Sequence, residues 1–457
     1  MIHERTPVTL QWLTISLSLL FLLLSVPASA TNVNVDCSGS NPQAFRSIND
    51  ALNALDLVGP NTITVSGTCH ENVALLQRDR LTIQAVAGHS AAIENAAVAP
   101  ASTLYIGGSH NIVLDNLIIQ AGSPAMYVSD SSSALLMQNC TVQNSLGDGL
   151  DVDAESELVI QDSTIKNNSA AGVFIANESH LTLGTYPAQR IRITGNGFGG
   201  GGNGAGGLEI DGSLVQLNFG VLTVEGNAGP GISMDGGRLQ FYGGDADSPG
   251  LIENNNTGIT MNDAASATLW DAFHIHNNGR TGISVNGSSS ITFYSGIDSN
   301  GHSEVTTIDG HSIVGLALSQ SSAAQIYGAH VISRNGSANA DPGSRGGISL
   351  AGASLTIGSG THVDSNVGPG IRLAVKSDLT MFDMAVSNNT EEGVLATNLS
   401  AGGFYQPLAF GGNGGGSLLC DDFSVAYGDA TSIPGVDCKN ITNSAGRRAN
   451  VRIPNLH

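Results

Sequence analysis

Residues 144–153 read NSLGDGLDVD, and the same outline returns as NNSAAGVFIA at 167–176, NAGPGISMD at 227–235, NNTGITMN at 255–262 and NNGRTGISVN at 277–286. Two further copies are NVGPGIRLA at 366–374 and NNTEEGVLA at 388–396. Each has Asn, a few residues, Gly, and then apolar residues alternating with others. Self-similarity at short period marks stacked structural units. With the glycine as marker, the series runs Gly149, Gly172, Gly207, Gly231, Gly258, Gly282, Gly315, Gly347, Gly370, Gly393, and Ala125 extends it backwards by one unit. The shortest spacings are 23 to 24 residues, and the longer ones are that unit with an insertion.

Within a unit the alternation has period two, so the residues lie on strands with one side facing an interior. Aligning ALLMQNCTVQNS (134–145), ELVIQDSTIKNN (157–168), ATLWDAFHIHNN (267–278) and DLTMFDMAVSNN (378–389) predicts the inward sets. These are Leu135, Met137, Cys140 and Val142; Leu158, Ile160, Ser163 and Ile165; Thr268, Trp270, Phe273 and Ile275; and Leu379, Met381, Met384 and Val386. Three short strands per unit make one coil, and coils stacked about 4.8 Å apart form a parallel β-helix, an all-β solenoid. The asparagines before the glycines are expected to stack in a column at a turn, with Gly supplying permissive dihedrals there. An open stack needs protected ends. Ala44–Leu55, AFRSINDALNAL, has helical spacing and is expected to cap the first coil.

The first thirty residues carry Arg5, an apolar run from Leu13 to Leu24 and a small-x-small Ala28-Ser29-Ala30, the pattern of a cleaved signal peptide. The run is shorter than the roughly 20 residues a membrane span requires. The expected divisions are a leader at 1–30, an N-terminal cap and first strand at 31–70, coils at 71–415, and a C-terminal cap and tail at 416–457. A secreted, monomeric chain with no membrane span is anticipated. The formal net charge of -21 excludes nucleic acid and anionic lipid as partners and disfavours acidic polysaccharides. Five cysteines in an exported chain suggest terminal clamps, Cys37–Cys69 and Cys420–Cys438, with Cys140 left over on an inward position.

The early Cys37, the stretch AFRSINDALNAL, the following ITVSGTCHENV (63–73) and the coil repeat together resemble the pectin-lyase-like superfamily of right-handed parallel β-helices. That resemblance covers nearly all of Thr31 to Asp429. It implies right-handed coiling and makes a polysaccharide partner a family-level expectation, while the superfamily spans lyases, hydrolases, esterases, epimerases and adhesins. The chain lacks the Asn-Thr-Asp, Asp-Asp and Gly-His-Gly series of polygalacturonases. Asp341-Pro342-Gly343 departs from the Asp-Pro-His-Glu signature of alginate epimerases.

Insertions mark the face a solenoid uses. Three are expected between Asn and Gly, at 196–207, 300–315 and 335–347, with smaller ones around Thr185-Tyr186-Pro187 and Gly243–Gly250 at another corner. The strand after each marker glycine should present Tyr127 and Ser129, Asp151 and Asp153, Phe174 and Ala176, Glu209 and Asp211, and Ser233 and Asp235 outward. Asp153, Asp211 and Asp235 are the candidate catalytic carboxylates. Asp211 and Asp235 lie about 5 Å apart, while Asp153, two coils from Asp211, leaves room for water. Asp211 and Asp235 are also the candidate Ca2+ ligands, and Asp151, Phe174 and Glu209 the candidate carbohydrate contacts. The competing expectation is a solvated face that keeps an apolar-cored solenoid soluble. His302, Glu304, Asp309 and His311 form an irregular group of metal-ligand types, and His274 and His276 are expected to face solvent. A lyase needs a basic residue beside its acids. None of Arg190, Arg192, Arg280, Arg345 or Arg372 is tied to them by a motif. The expectation is a carbohydrate-binding β-helix, with a polysaccharide lyase, a glycoside hydrolase or an adhesive surface protein as the alternatives.

Overall fold

The computed structural model describes residues 30–96, 101–185, 189–199, 205–218, 220–242, 248–270, 272–296 and 304–442. The leader expected at 1–30, apart from Ala30, and the last fifteen residues lie outside this set.

A regular coil contributes one strand to each of three faces. A representative coil uses Leu150–Val152, Glu157–Gln161 and Thr164–Lys166. These pair in parallel with Val173–Ile175, His180–Leu183 and Arg190–Thr194 of the next coil. Among the described residues the first face is a 15-stranded sheet, from Val73–Leu76 to Val436–Asp437. The second and third faces join into one sheet where Asp378–Ser387 runs through the corner between them. Inward side chains form a single apolar core from Val35 to Ile433. Pairing begins at Thr31–Asp36 against Asn61–Ser66 and continues to Ile441–Thr442, so rungs extend on both sides of 71–415.

Two internal ladders hold the corners. Before the first face, Ser145, Asn168, Asn196, Asn227, Asn255 and Asn278 each donate a backbone N–H to the side chain one coil on, and His311 takes the next place. The column resumes through Asn335, Asn366, Asn389 and Asn413. Between the first and second faces runs a serine ladder, Ser109, Ser132, Ser156, Ser179 and Ser213, each backbone N–H bound to the next hydroxyl. Both satisfy backbone donors that the bends would otherwise strand in an apolar interior.

The marker glycines have a different cause from the one expected. None of them has a positive φ; that conformation falls on the first asparagine of the pair, as in Asn167, Asn254, Asn277 and Asn388. A Cβ on Gly231 would lie 2.7 Å from the Asn255 amide nitrogen and 2.8 Å from the Gly258 carbonyl. The glycine is there because the ladder leaves no room for a side chain.

The capping helix is Ile48–Asn53, shorter than Ala44–Leu55. Phe45 is held in a backbone bridge to Val35, and the Ser47 hydroxyl then caps the helix by accepting from Asp50 N–H at 3.2 Å. The Glu71 carboxylate accepts from Ile48 N–H at 2.6 Å and Asn49 N–H at 3.1 Å, while Ile48, Ala51 and Leu52 cover the first coil. Disulfides Cys37–Cys69 and Cys420–Cys438 close the two ends, and Cys140 is buried and free. Burial pushes its thiol up to about 12, which keeps it unreactive.

Two further expectations are corrected. Leu269, not Trp270, points inward, because one extra residue occupies the corner before Phe273 and inverts the alternation; Thr268 and Trp270 face outward. The insertion expected at 300–315 lies earlier. His311 occupies the ladder place, so the extra residues precede Thr307–Asp309, between the second and third faces. His302 lies outside the described residues.

Candidate functional site

The outward columns of the first face are in the register expected from the repeat. One runs Tyr105, Tyr127, Asp151, Phe174, Glu209 and Ser233, each directly opposite the next. Beside it, Asp211 faces Asp235 across adjacent rungs and Asp235 faces Asn262. The alternation that buries Leu150, Val152, Val173, Ile175, Leu208 and Ile210 forces the intervening side chains onto the surface in line with the helix axis.

The acids of the first column are half-buried and poorly solvated. Burial, then the charges of Asp148 and Asp153, raises the Asp151 carboxyl to about 7. Its Oδ1 is buried without a hydrogen bond. Glu209 also rises to about 7, driven by burial with a contribution from Asp148 and opposed by a hydrogen bond from Gly206 N–H at 3.0 Å. Phe174 stands between the two on the intervening rung. Asp148, at the corner before Gly149, accepts from Ala171 N–H at 2.8 Å and is itself raised by burial. Sequence reasoning missed Asp148 because it sits in the turn, off the strand alternation; the signal was an acid immediately before a marker glycine. Tyr105 was missed because its coil lacks the Asn–Gly marker.

Asp153 is committed to local structure, accepting from Ala154 N–H at 2.7 Å, Asn177 Nδ2 at 2.5 Å and Tyr127 OH at 3.3 Å. Burial and the charges of Asp153 and Asp151 push the Tyr127 phenol up to about 12. Asp153 lies two rungs from Asp211, and the rung between them carries buried Ala176. Asp211 and Asp235 are exposed neighbours, and partial desolvation, a hydrogen bond to Asp263, and the charges of Asp263 and Asp211 raise the Asp235 carboxyl. Among the described residues, Asp211, Asp235 and Asp263 do not bring one oxygen each within 4.8 Å of one another.

Insertions border this strip. In sequence, residues 95–103 link the third-face strand Ala91–Glu94 to the Tyr105 strand, and 195–207 link Arg190–Thr194 to the Glu209 strand. Residues 336–346 lie in the same link farther along, tied by Arg372 to the Pro342 carbonyl and by Arg345 to Glu391. Gly199 N–H donates to Ser169 O at 2.9 Å. Leu146 and Phe198 are 71% and 70% exposed. Arg192 pairs with Glu225, away from the strip.

A family model described as "Right handed beta helix region" matches residues 61–213 and 257–420. The chain belongs to this right-handed β-helix family. No curated protein matches it. Among solved structures, pectin methylesterase PemA from Erwinia chrysanthemi aligns over 62% of this chain and 90% of its own, at 12% identity and TM-score 0.26. The catalytic unit of a thermostable GH87 alpha-1,3-glucanase from Streptomyces thermodiastaticus aligns over 92% and 70%, at 12% identity and TM-score 0.30. Likenesses this distant bear on neither substrate nor chemistry. Among the described residues no helix is long and apolar enough to cross a membrane.

Proposed function

We infer that this β-helix protein is exported and takes a neutral carbohydrate chain along its first face, across Tyr105, Tyr127, Asp151, Phe174 and Glu209. The observation that carries this reading is the alternation of rings and half-buried carboxyls in one column parallel to the helix axis. Rings offer apolar faces to sugars, and carboxyls accept from sugar hydroxyls. The net charge of -21 argues for an uncharged polymer. Two disulfides support folding in an oxidising compartment. Exposed Asp211 and Asp235 form a second row, with Asp153 fixing Tyr127, and Ca2+ between Asp211 and Asp235 would relieve their repulsion.

A hydrolytic reading is favoured by one specific feature. Asp151 and Glu209 are two rungs apart, about 9.6 Å along the axis from the strand spacing, close to the upper end of the separation in inverting glycoside hydrolases. Carboxyls titrating near 7 let one carry the proton for the leaving group while the other, ionised, activates water. Asp153, Asp211 and Asp235 remain the alternative acids.

Affinity electrophoresis against neutral glucans and xylans, with polyuronates as contrast and with Ca2+ or EDTA, tests the binding. Retardation by a neutral polymer that disappears in Phe174→Ala is expected, and free migration through every neutral gel would overturn the reading. Release of reducing ends, abolished in Asp151→Asn while retardation persists, separates hydrolysis from binding.

A further inference from the structure

The geometry points to a second site on the third face, where His274, His276, Glu253 and Asp309 bind a divalent transition-metal ion such as Zn2+. Phe273–His276 buries Phe273 and Ile275 and turns both histidines outward, two residues apart on one strand. Parallel register sets Glu253 directly beside His276 on one side and Asp309 beside it on the other. Two imidazoles and two carboxylates, drawn from three adjacent rungs, make a four-donor set of the kind Zn2+ takes.

The local surroundings favour an ion. His276 Nε2 already contacts Glu253 Oε2, and its ring lies 6.4 Å from that of His274, nearly edge-on at 75°. Arg334 engages Oδ2 of Asp309, so an ion at this site has to share that carboxylate with the guanidinium or displace it. The Glu253 and Asp309 side chains are 18% and 10% exposed, so water competes weakly for them. Insertions follow Tyr242 and Tyr294 in sequence, immediately before Gly250–Glu253 and Thr307–Asp309, the two strands that flank the histidines.

The site is not closed as it stands. Among the described residues, only Cys37, Cys69 and Glu71 bring three donor atoms within 4.8 Å of one another, and the disulfide occupies those sulfurs. His274 and Asp309 must rotate inward onto the His276–Glu253 pair. That reorganisation weakens binding and sets the expected dissociation constant in the micromolar range, on the order of 1–10 μM.

The test is calorimetric titration of the untagged chain with Zn2+ alone, with Mg2+ as a hard-cation control. One Zn2+ per chain is expected, with affinity falling at least tenfold in His274→Ala and in His276→Ala and unchanged in His110→Ala. Co2+ should give the visible absorption of a four-coordinate site in the wild type and lose it in His276→Ala. Glu253→Gln, which keeps shape and removes charge, should weaken binding similarly and covers the case in which a histidine variant misfolds. Absence of saturable Zn2+ binding, or equal binding by wild type and all three variants, would overturn the site.

Discussion

Asp151 and Glu209 occupy the same outward column of the first face two rungs apart, with Phe174 on the rung between them. Burial is the largest cause of the raised carboxyl at both positions. A carboxyl with a raised folded pKa favours its protonated form in the folded state. Below the unfolded value near 4 both states are protonated and nothing is lost. As pH climbs from about 4 to about 7 the unfolded chain ionises first, so stability declines through that window and levels off above it.

Asp151→Asn should therefore be more stable than wild type at pH 8 and nearly equal to it at pH 4. Water reaches part of the group, so the difference is set at about 2 kcal/mol rather than at the full shift. Denaturant midpoints of the two proteins at both pH values check it. Equal midpoints at pH 8 would mean that Asp151 is solvated.

Phe174→Ala should let water between the two acids and draw both titrations down toward the ordinary carboxylate range. Carboxyl carbon shifts followed by NMR across pH 3 to 9 measure this directly, on the order of one unit for each group. Titrations left near 7 would assign the shifts to Asp148 instead of the ring.

The period, the column from Tyr127 to Ser233 and the asparagine column could be read from the sequence because a solenoid repeats each local decision at every coil, whereas Ser129 and Ala176, expected outward beside that column, are buried. Aligning Gly172, Gly207 and Gly231 was enough to place Phe174 beside Glu209 and Asp211 beside Asp235. Reading failed where a coil breaks its own rule. One extra corner residue before Phe273 turned Trp270 outward, where it stacks on Tyr294 with ring centroids 4.1 Å apart. A histidine in an asparagine place disguised the ladder at His311. Asp148 escaped because corner residues follow no alternation. Pattern therefore reveals which residues share a face, whereas the solvation of a carboxyl depends on neighbours contributed by other coils.

Asn255 gives the ladder a measurable weight. Its Oδ1 accepts from Asn227 N–H at 3.0 Å and Asn227 Nδ2 at 2.9 Å, and its Nδ2 donates to Val224 O at 3.0 Å. Asn255→Ala removes the acceptor and strands buried donors, which should cost about 3 kcal/mol. Asn256→Ala, one residue along and outside the column, is the control. A chemical-denaturation midpoint unchanged in Asn255→Ala would mean that water replaces the amide.

His311 should make the protein acid-sensitive in the opposite direction from Asp151. It is buried, Nδ1 accepting from Asn278 N–H at 3.2 Å and Nε2 lying 2.9 Å from Ile275 O. Burial lowers its pKa to about 4, so the unfolded chain takes up its proton first as pH falls. Its contribution is complete above about 6.5 and is lost progressively as pH falls from there to about 4, an effect of at most about 3 kcal/mol. His311→Asn keeps the hydrogen-bond acceptor that the ladder uses and removes the titration. Between pH 7 and 4 the variant should lose less stability than wild type, although His330, lowered to about 4 by burial, retains its own share. A wild type and variant that lose stability in parallel over that range would mean that His311 takes up its proton as readily in the folded protein as in the unfolded one, with Nδ1 giving up its bond from Asn278 N–H.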